Sequence, residues 1–228
     1  MWFHTISDPR YRQIAHAFWK VRHIKGVYAT IRMALCPLMD IERFLPEKGT
    51  IMDVGCGTGL LLQWLSLCKD SRNFRLVGIE IDQQRIDLGR KVCNKLGIGS
   101  KIDLRVENFT SIKCERDLSA ITFIDVLHHM DFDLQQLMLK LAFEKLAQGG
   151  IILIKEVDTK PVWKYVYCYI FDALTHLTNI TKGKVGYYRS RPEWAKILTK
   201  HGFSTRSVEV QHADLAPHII LIGVKNGK

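Results

Sequence analysis

One stretch constrains this chain above all others: Ile51-Met52-Asp53-Val54-Gly55-Cys56-Gly57-Thr58-Gly59-Leu60-Leu61, an apolar run holding an aspartate, three alternating glycines, and a segment spaced for a helix. The run stops at the glycines, and Leu60, Leu61, Trp64, Leu65 and Leu67 begin a helical period at once, so the stretch reads as strand, tight loop and helix. A loop this short needs glycine, because a residue without Cβ accepts positive φ and lets a ligand approach the backbone. The first N–H groups of the new helix have no partners within it and point at whatever sits there.

The spacing bears on which ligand that is. A dinucleotide fingerprint is G-x-G-x-x-G, whereas this chain has Gly55-x-Gly57-x-Gly59 with Leu60 where the third glycine should stand. Asp53 precedes the glycines, where a carboxylate repels pyrophosphate and attracts a ligand with positive charge. S-adenosylmethionine carries both a sulfonium and an ammonium.

Asp53-x-Gly-x-Gly-x-Gly resembles the first motif of the class I S-adenosylmethionine-dependent methyltransferases. A second apolar run, Leu76-Val77-Gly78-Ile79-Glu80-Ile81-Asp82, supports the match, since Glu80 lies 21 residues beyond Gly59, about where a ribose-binding carboxylate belongs in a βαβ unit. The resemblance covers residues 50 to 156. It implies an α/β fold of Rossmann-like type, a three-layer sandwich with seven strands in the order 3-2-1-4-5-7-6 and strand 7 antiparallel.

The residues alone show the alternation: strands at 50–54, 75–80, 101–106, 119–124 and 150–156, with helices at 58–69, 83–97 and 133–147. Strands alternating with helices predict a parallel sheet wound on both faces with right-handed crossovers. Two late runs, 204–210 and 218–224, would close the sheet as a hairpin-like pair. Ahead of the sheet, Asp8 and Pro9 form a helix start and Ile14, Ala17, Phe18 and Val21 share a face, while 27–45 reads as helix interrupted by Pro37. Ser190-x-x-Glu193 is a capping box for a helix running to His201, with Gly202 to end it. The expected organisation is an N-terminal helical cap at 1–48 and a methyltransferase domain at 49–228, with 161–200 as a helical, acceptor-side insertion.

A length of 228 residues suits one such domain with added helices. Six scattered cysteines without a C-x-x-C pair suggest neither a zinc site nor a disulfide framework, so no metal is expected. The start has no basic-then-apolar arrangement, and no uncharged run approaches the roughly 18 apolar residues of a membrane span. The expected location is cytoplasmic, with a peripheral place at the inner membrane surface as the variant.

The net charge of +10 is concentrated. Residues 10 to 32 hold Arg10, Arg12, Lys20, Arg22, Lys25 and Arg32 with no acid, and residues 160 to 206 hold nine Lys or Arg against Asp172 and Glu193. Both regions lie outside the glycine-loop core, where an acceptor or partner would be met.

By the resemblance, Asp53, Gly55, Cys56, Gly57 and Gly59 hold the methionine end of the cofactor, and Glu80 accepts from both ribose hydroxyls, with Ile81 beside it. Asn108 stands where many relatives have an acid facing the adenine amino group, and Phe109 is placed to stack on the base. Asp125 and Val126, after the fourth strand, are expected cofactor neighbours. His128 and His129 follow beside the expected methyl group; for a hydroxyl acceptor, a histidine there is a candidate general base. The 161–180 segment is dense in aromatics, and Trp163, Tyr167, Tyr187 and Arg189 are placed on the acceptor side.

The chain is therefore read as moving a methyl group from S-adenosylmethionine to a small-molecule or lipid- or polyketide-like acceptor, most simply at oxygen. An acidic carrier protein or an anionic membrane surface is the expected partner. A basic surface also suits an RNA or protein methyltransferase, although no RNA module and no Asn-Pro-Pro-Tyr-type run follows the fourth strand. A non-catalytic S-adenosylmethionine-binding partner subunit is the rival outside the enzymes.

Overall fold

The computed structural model describes residues 6–68, 73–112, 115–163, 165–166, 168–170, 186–209 and 217–226. Its seven strands follow the order β3-β2-β1-β4-β5-β7-β6. The sheet expected from the resemblance is the one found, and the chain divides into two compact units, Met1–Cys114 and Glu115–Lys228. The 1–48 helices therefore belong with the first half of the sheet.

In the first unit, Asp8 caps α1 (Pro9–Val21), its carboxylate accepting from the Arg10 N–H at 2.8 Å, with proline in the first turn. The helix buries Tyr11, Ile14, Ala17 and Phe18 and packs on α2 (His23–Leu35). Pro37 does interrupt the predicted 27–45 helix: α2 stops at Leu35, and α3 (Leu38–Phe44) begins beyond the proline. β1 (Lys48–Val54) leads through the glycine loop to α4 (Leu60–Ser66), then β2 (Asn73–Glu80), α5 (Gln83–Lys95) and β3 (Ile102–Val106). All three strands are parallel, with Val54 opposite Ile79 and Glu80 opposite Val106. This register brings the glycine loop and Glu80 to the same carboxyl edge.

A polar cluster fastens the N-terminal helices to this unit. Glu42 accepts from the Arg10 guanidinium at 2.9 Å, from the Trp64 indole at 2.9 Å and from the Cys68 thiol at 2.7 Å, and the guanidinium sits 4.0 Å over the Trp64 ring. Burial works against the Glu42 charge, yet the hydrogen bonds from Cys68 and Trp64 and the Arg10 cation hold its carboxyl below the ordinary value.

The second unit runs β4 (Leu118–Ile124), α6 (Phe132–Lys145), β5 (Leu146–Val157), α7 (Arg191–Lys200), β6 (Phe203–Glu209) and β7 (His218–Lys225). β4 and β5 are parallel; β7 lies antiparallel to both β5 and β6. Asp131 caps α6 and the Ser190–Glu193 capping box starts α7, as its spacing predicts. Ile152, Leu153 and Ile154 of β5 and Ile219, Ile220 and Leu221 of β7 are fully buried, which explains why these strands read as continuous apolar runs rather than alternating ones. The described residues between 162 and 170 are helical; the rest of the aromatic segment, to residue 185, lies outside the described residues.

Candidate functional site

The glycine loop is built around positive φ angles at Gly55, Gly57 and Gly59, of 70°, 58° and 76°. The N–H groups of Gly55 and Cys56 donate to the Ile79 carbonyl at 2.9 and 3.0 Å, tying the loop to β2. A Cβ at Gly57 would meet nothing within 4 Å, so the loop is open there, whereas one at Gly59 would meet the Leu104 side chain at 2.9 Å. The two glycines thus serve different ends: Gly57 leaves room for a ligand against the backbone, and Gly59 lets the loop lie on β3.

Glu80 is the hub of this edge. One carboxylate oxygen accepts from the Gly57 N–H at 3.1 Å, and the other accepts from the N–H groups of Ile81 and Asp82 at 2.8 and 3.1 Å. Arg85 stands 3.7 Å from the first oxygen. A carboxylate offers about four acceptor sites, so capacity remains on the oxygen beside Gly57. Asp53 is buried below the loop, and Cys56 is buried with it. Burial first, then the Asp53 and Glu80 carboxylates, push the Cys56 thiol well above its ordinary value, so it is a neutral packing group and not a nucleophile. Beside Glu80, Ile81 presents an apolar side chain that is 65% exposed, unusual for isoleucine and suited to a flat base.

The two residues expected at the adenine end, Asn108 and Phe109, are both engaged within the protein. The Asn108 oxygen already accepts from the Thr110 N–H at 3.1 Å and the Thr110 hydroxyl at 3.0 Å, because Asn108 caps the short turn Phe109–Ser111. Phe109 is buried beneath that turn and offers no open ring face for stacking.

In the second unit, β4 ends in a turn held by two charged residues of β5. Asp125 adopts a φ of 51°, uncommon for a residue with a Cβ, and its carboxylate takes the Lys155 ammonium at 2.6 and 2.8 Å. Glu156 accepts from the N–H groups of Val126 and Leu127 at 3.2 and 2.8 Å on one oxygen, and its other oxygen bonds Nδ1 of His128. His128 and Glu156 are both buried. The His128 ring also stacks on Tyr188, with centroids 5.0 Å apart and 8° between planes, and lies 4.1 Å from the His129 ring.

Gln135, fully buried in α6, gathers the loop that carries Tyr187 and Arg189. Its amide nitrogen donates to the carbonyls of Leu127, Met130 and Tyr187 at 3.0, 3.1 and 2.8 Å, and its oxygen accepts from Arg189 Nε at 2.6 Å. Arg189 is packed over the Phe132 ring at 4.3 Å, and burial lowers its pKa. Tyr187 meets Phe132 edge-on. Trp163 is on the surface at 67% exposure, and Tyr167 lies outside the described residues.

His218 starts β7 with its Nδ1 sealed from solvent and without a hydrogen-bond partner. Burial, with added repulsion from the Lys155 ammonium and only partial relief from the Asp125 carboxylate, lowers its pKa from 6.5 to about 3.

Sequence reasoning placed Glu80 and the loop together, and Asp125 with the histidines, but it missed Lys155, Glu156 and Gln135. The signal was there: a Lys-Glu pair closing an otherwise apolar strand, and a glutamine on the buried face of α6. Among the described residues, no group of three or more His, Cys, Asp or Glu is placed to hold a metal ion.

Comparison with known proteins agrees with the architecture. A family model described as a methyltransferase domain matches residues 22–208, most of the chain. A probable fatty acid methyltransferase of Pseudomonas putida is 24% identical over 142 residues, covering 58% of this chain and 35% of that protein. The chain therefore spans about a third of this curated relative. Among solved structures, an O-methyltransferase family protein from Burkholderia thailandensis superposes with a TM-score of 0.68 at 17% identity, covering 90% of this chain and 60% of that one. A SAM-dependent methyltransferase from Methanosarcina mazei gives 0.62 at 20% identity, covering 85% and 99%.

Proposed function

The chain belongs to the methyltransferase domain family, and on that footing we propose that it transfers a methyl group from S-adenosylmethionine to the oxygen of a small-molecule or lipid-like acceptor. Family membership carries the enzyme class and the methyl donor. The acceptor class rests on weaker support: the name of the Pseudomonas relative, the O-methyltransferase naming of the Burkholderia structure, and the aromatic, basic character of residues 160–206.

The observation that carries the reading is Glu80, whose carboxylate sits beside an open Gly57 and next to an exposed Ile81. These residues fit the donor: Glu80 for the ribose hydroxyls, the loop backbone for the methionine end, Ile81 for the base. S-adenosylmethionine, when bound, supplies a methyl group on a sulfonium, ready for in-line displacement. The chain's own task is alignment and removal of the acceptor's proton.

For the proton, His128 is the proposed base. With Nδ1–H donated to Glu156, the ring carries its lone pair on Nε2, and an imidazolium formed there would be stabilised by the same carboxylate. The Asn108 turn would shape the adenine end through its backbone.

Calorimetry with S-adenosylmethionine and its demethylated product tests the donor assignment, and extract incubated with isotopically labelled donor tests the acceptor. Tight binding that Glu80→Ala weakens strongly, with label in lipid or small molecules, is the expected result. Label in RNA or protein would replace the acceptor class, and binding without any transfer would favour a partner subunit.

A further inference from the structure

The run Tyr187-Tyr188-Arg189 leads into α7 with no strand or helix of its own to hold it. One buried amide does that work. Gln135 donates to the Tyr187 carbonyl at 2.8 Å and accepts from Arg189 Nε at 2.6 Å, which pins the residues on either side of Tyr188. The same amide donates to the carbonyls of Leu127 and Met130 at 3.0 and 3.1 Å, the residues on either side of His128 and His129. A leucine would fill this site without the hydrogen bonds, and a glutamate would set an acceptor against three carbonyls. Gln135 therefore fixes the tyrosine run and the histidine turn relative to each other.

What this joint presents to His128 is a ring face. Tyr188 is buried in a cluster with Val157 and Cys168, and Tyr165 meets it edge-on at 5.2 Å. Its plane lies 8° from that of His128 with centroids 5.0 Å apart, an offset stack. A cation within about 6 Å of a ring centroid is attracted by the negative face of the ring, so this contact favours the imidazolium over the neutral imidazole. The other groups around His128 act elsewhere. Glu156 bonds Nδ1 at the ring's edge, and the His129 ring lies 4.1 Å away, tilted by 51°. The Lys155 ammonium is paired with Asp125, Arg189 is turned onto the Phe132 ring, and burial keeps His218 of β7 uncharged at neutral pH.

We propose that Tyr188 is a positioning residue for the methyl transfer: its ring face steadies the imidazolium that forms when His128 takes the acceptor's proton, and Gln135 holds the two rings in that contact. The assignment rests on the reading of His128 as the base. In the proton step the acceptor's O–H bond breaks with its electron pair left on oxygen, an N–H bond forms on His128, and the proton passes on to solvent. Glu156 acts in the plane of the imidazole and Tyr188 on its face, so the two contributions are separable.

An NMR titration of the His128 ring protons in the full chain tests this without any acceptor. Wild type is compared with Tyr188→Phe, with Tyr188→Leu, and with a protein carrying pentafluorophenylalanine at position 188, which keeps the shape of the ring and reverses the charge of its face. Tyr188→Phe should titrate close to wild type, and the leucine and fluorinated proteins lower by about half a pH unit or more. Gln135→Leu should follow them and lose the ring-current shift that Tyr188 imposes on His128. The acid limb of the pH profile for transfer of labelled methyl into extract should move with the titration. A packing role alone would lower thermal stability and leave the titration in place. Fluorinated protein that titrates as wild type does would overturn the proposal, and being near-isosteric it decides the matter even where Tyr188→Leu fails to fold. Gln135→Leu that keeps both the ring-current shift and the titration would overturn the part given to Gln135. Label transferred with an unmoved titration breaks only this inference, and a moved titration in a protein that transfers no label breaks only the methyl-transfer reading.

Discussion

Glu80 and Glu156 use one device for two purposes. Each is a buried acid near the carboxyl end of a strand, and each collects backbone N–H groups from the turn after the neighbouring strand: Glu80 from Gly57, Glu156 from Val126 and Leu127. They differ in what else they hold. Glu80 keeps acceptor capacity beside an open glycine, while Glu156, only 1% exposed, spends its second oxygen on His128. The first is a frame with room for a ligand, and the second is a closed brace for a side chain.

The largest expected effect breaks the brace. Glu156→Ala leaves two backbone donors and a buried histidine without their acceptor, and should cost about 3–5 kcal/mol of unfolding free energy by chemical denaturation. Glu156→Gln should recover much of that stability while shifting the pH profile of transfer, because a neutral amide does not stabilise an imidazolium. A small loss in Glu156→Ala would show that the two acids do not differ as described.

Glu80→Ala should act mainly on the ligand. An affinity loss of roughly 2–3 kcal/mol for S-adenosylmethionine, some 30- to 150-fold by calorimetry, is expected from the loss of two hydrogen bonds to a charged acceptor. Its thermal stability should fall less than that of Glu156→Ala. The reverse ranking would mean that Glu80 is the brace.

Acid should find the second unit first. The His218 ring takes its proton near pH 6.5 when unfolded and near 3 when folded, so the unfolded chain binds more protons in between. Stability is fully present above pH 6.5 and is lost as pH falls toward 3, by on the order of 3 kcal/mol at pH 4. Denaturation across that range should show a shallower decline in His218→Gln.

The smallest effects separate two glycines. Gly89→Ala puts a Cβ 2.5 Å from the Thr58 carbonyl oxygen, so backbone must shift, and a loss of about 1–2 kcal/mol is expected despite the gain in helix propensity. Gly57→Ala meets no atom, so only its left-handed φ costs, about 1 kcal/mol, and the larger consequence should be weakened donor binding. Thermal melts with and without the donor distinguish them.

The frame was legible in the sequence and the brace was not, for a physical reason. A tight glycine loop between a strand and a helix is short, so its glycines fall close together in the chain and announce themselves, as Asp53, Gly55, Gly57 and Gly59 do, with Glu80 one strand on. The brace is assembled across β-strand neighbours some thirty residues apart, and a Lys-Glu pair inside Ile151–Val157 looks like the solvated end of a buried strand until the register is known. Strand order was likewise legible through the resemblance, while the alternation alone gave the strand count. A residue's chemistry does not reveal its engagements: the Asn108 acceptor serves as a cap and the Phe109 ring is buried, and neither could be read from the sequence.

Asp125 shows how such engagements limit sequence drift. Its backbone conformation would suit glycine or asparagine, yet the Lys155 ammonium beside it is only 1% exposed and requires a negative charge. Aspartate meets both demands with the shortest side chain that can, so neither position can wander alone. Positions 125 and 155 should be inherited as a pair, and a lineage that exchanges the buried lysine for an apolar residue becomes free to relax the turn.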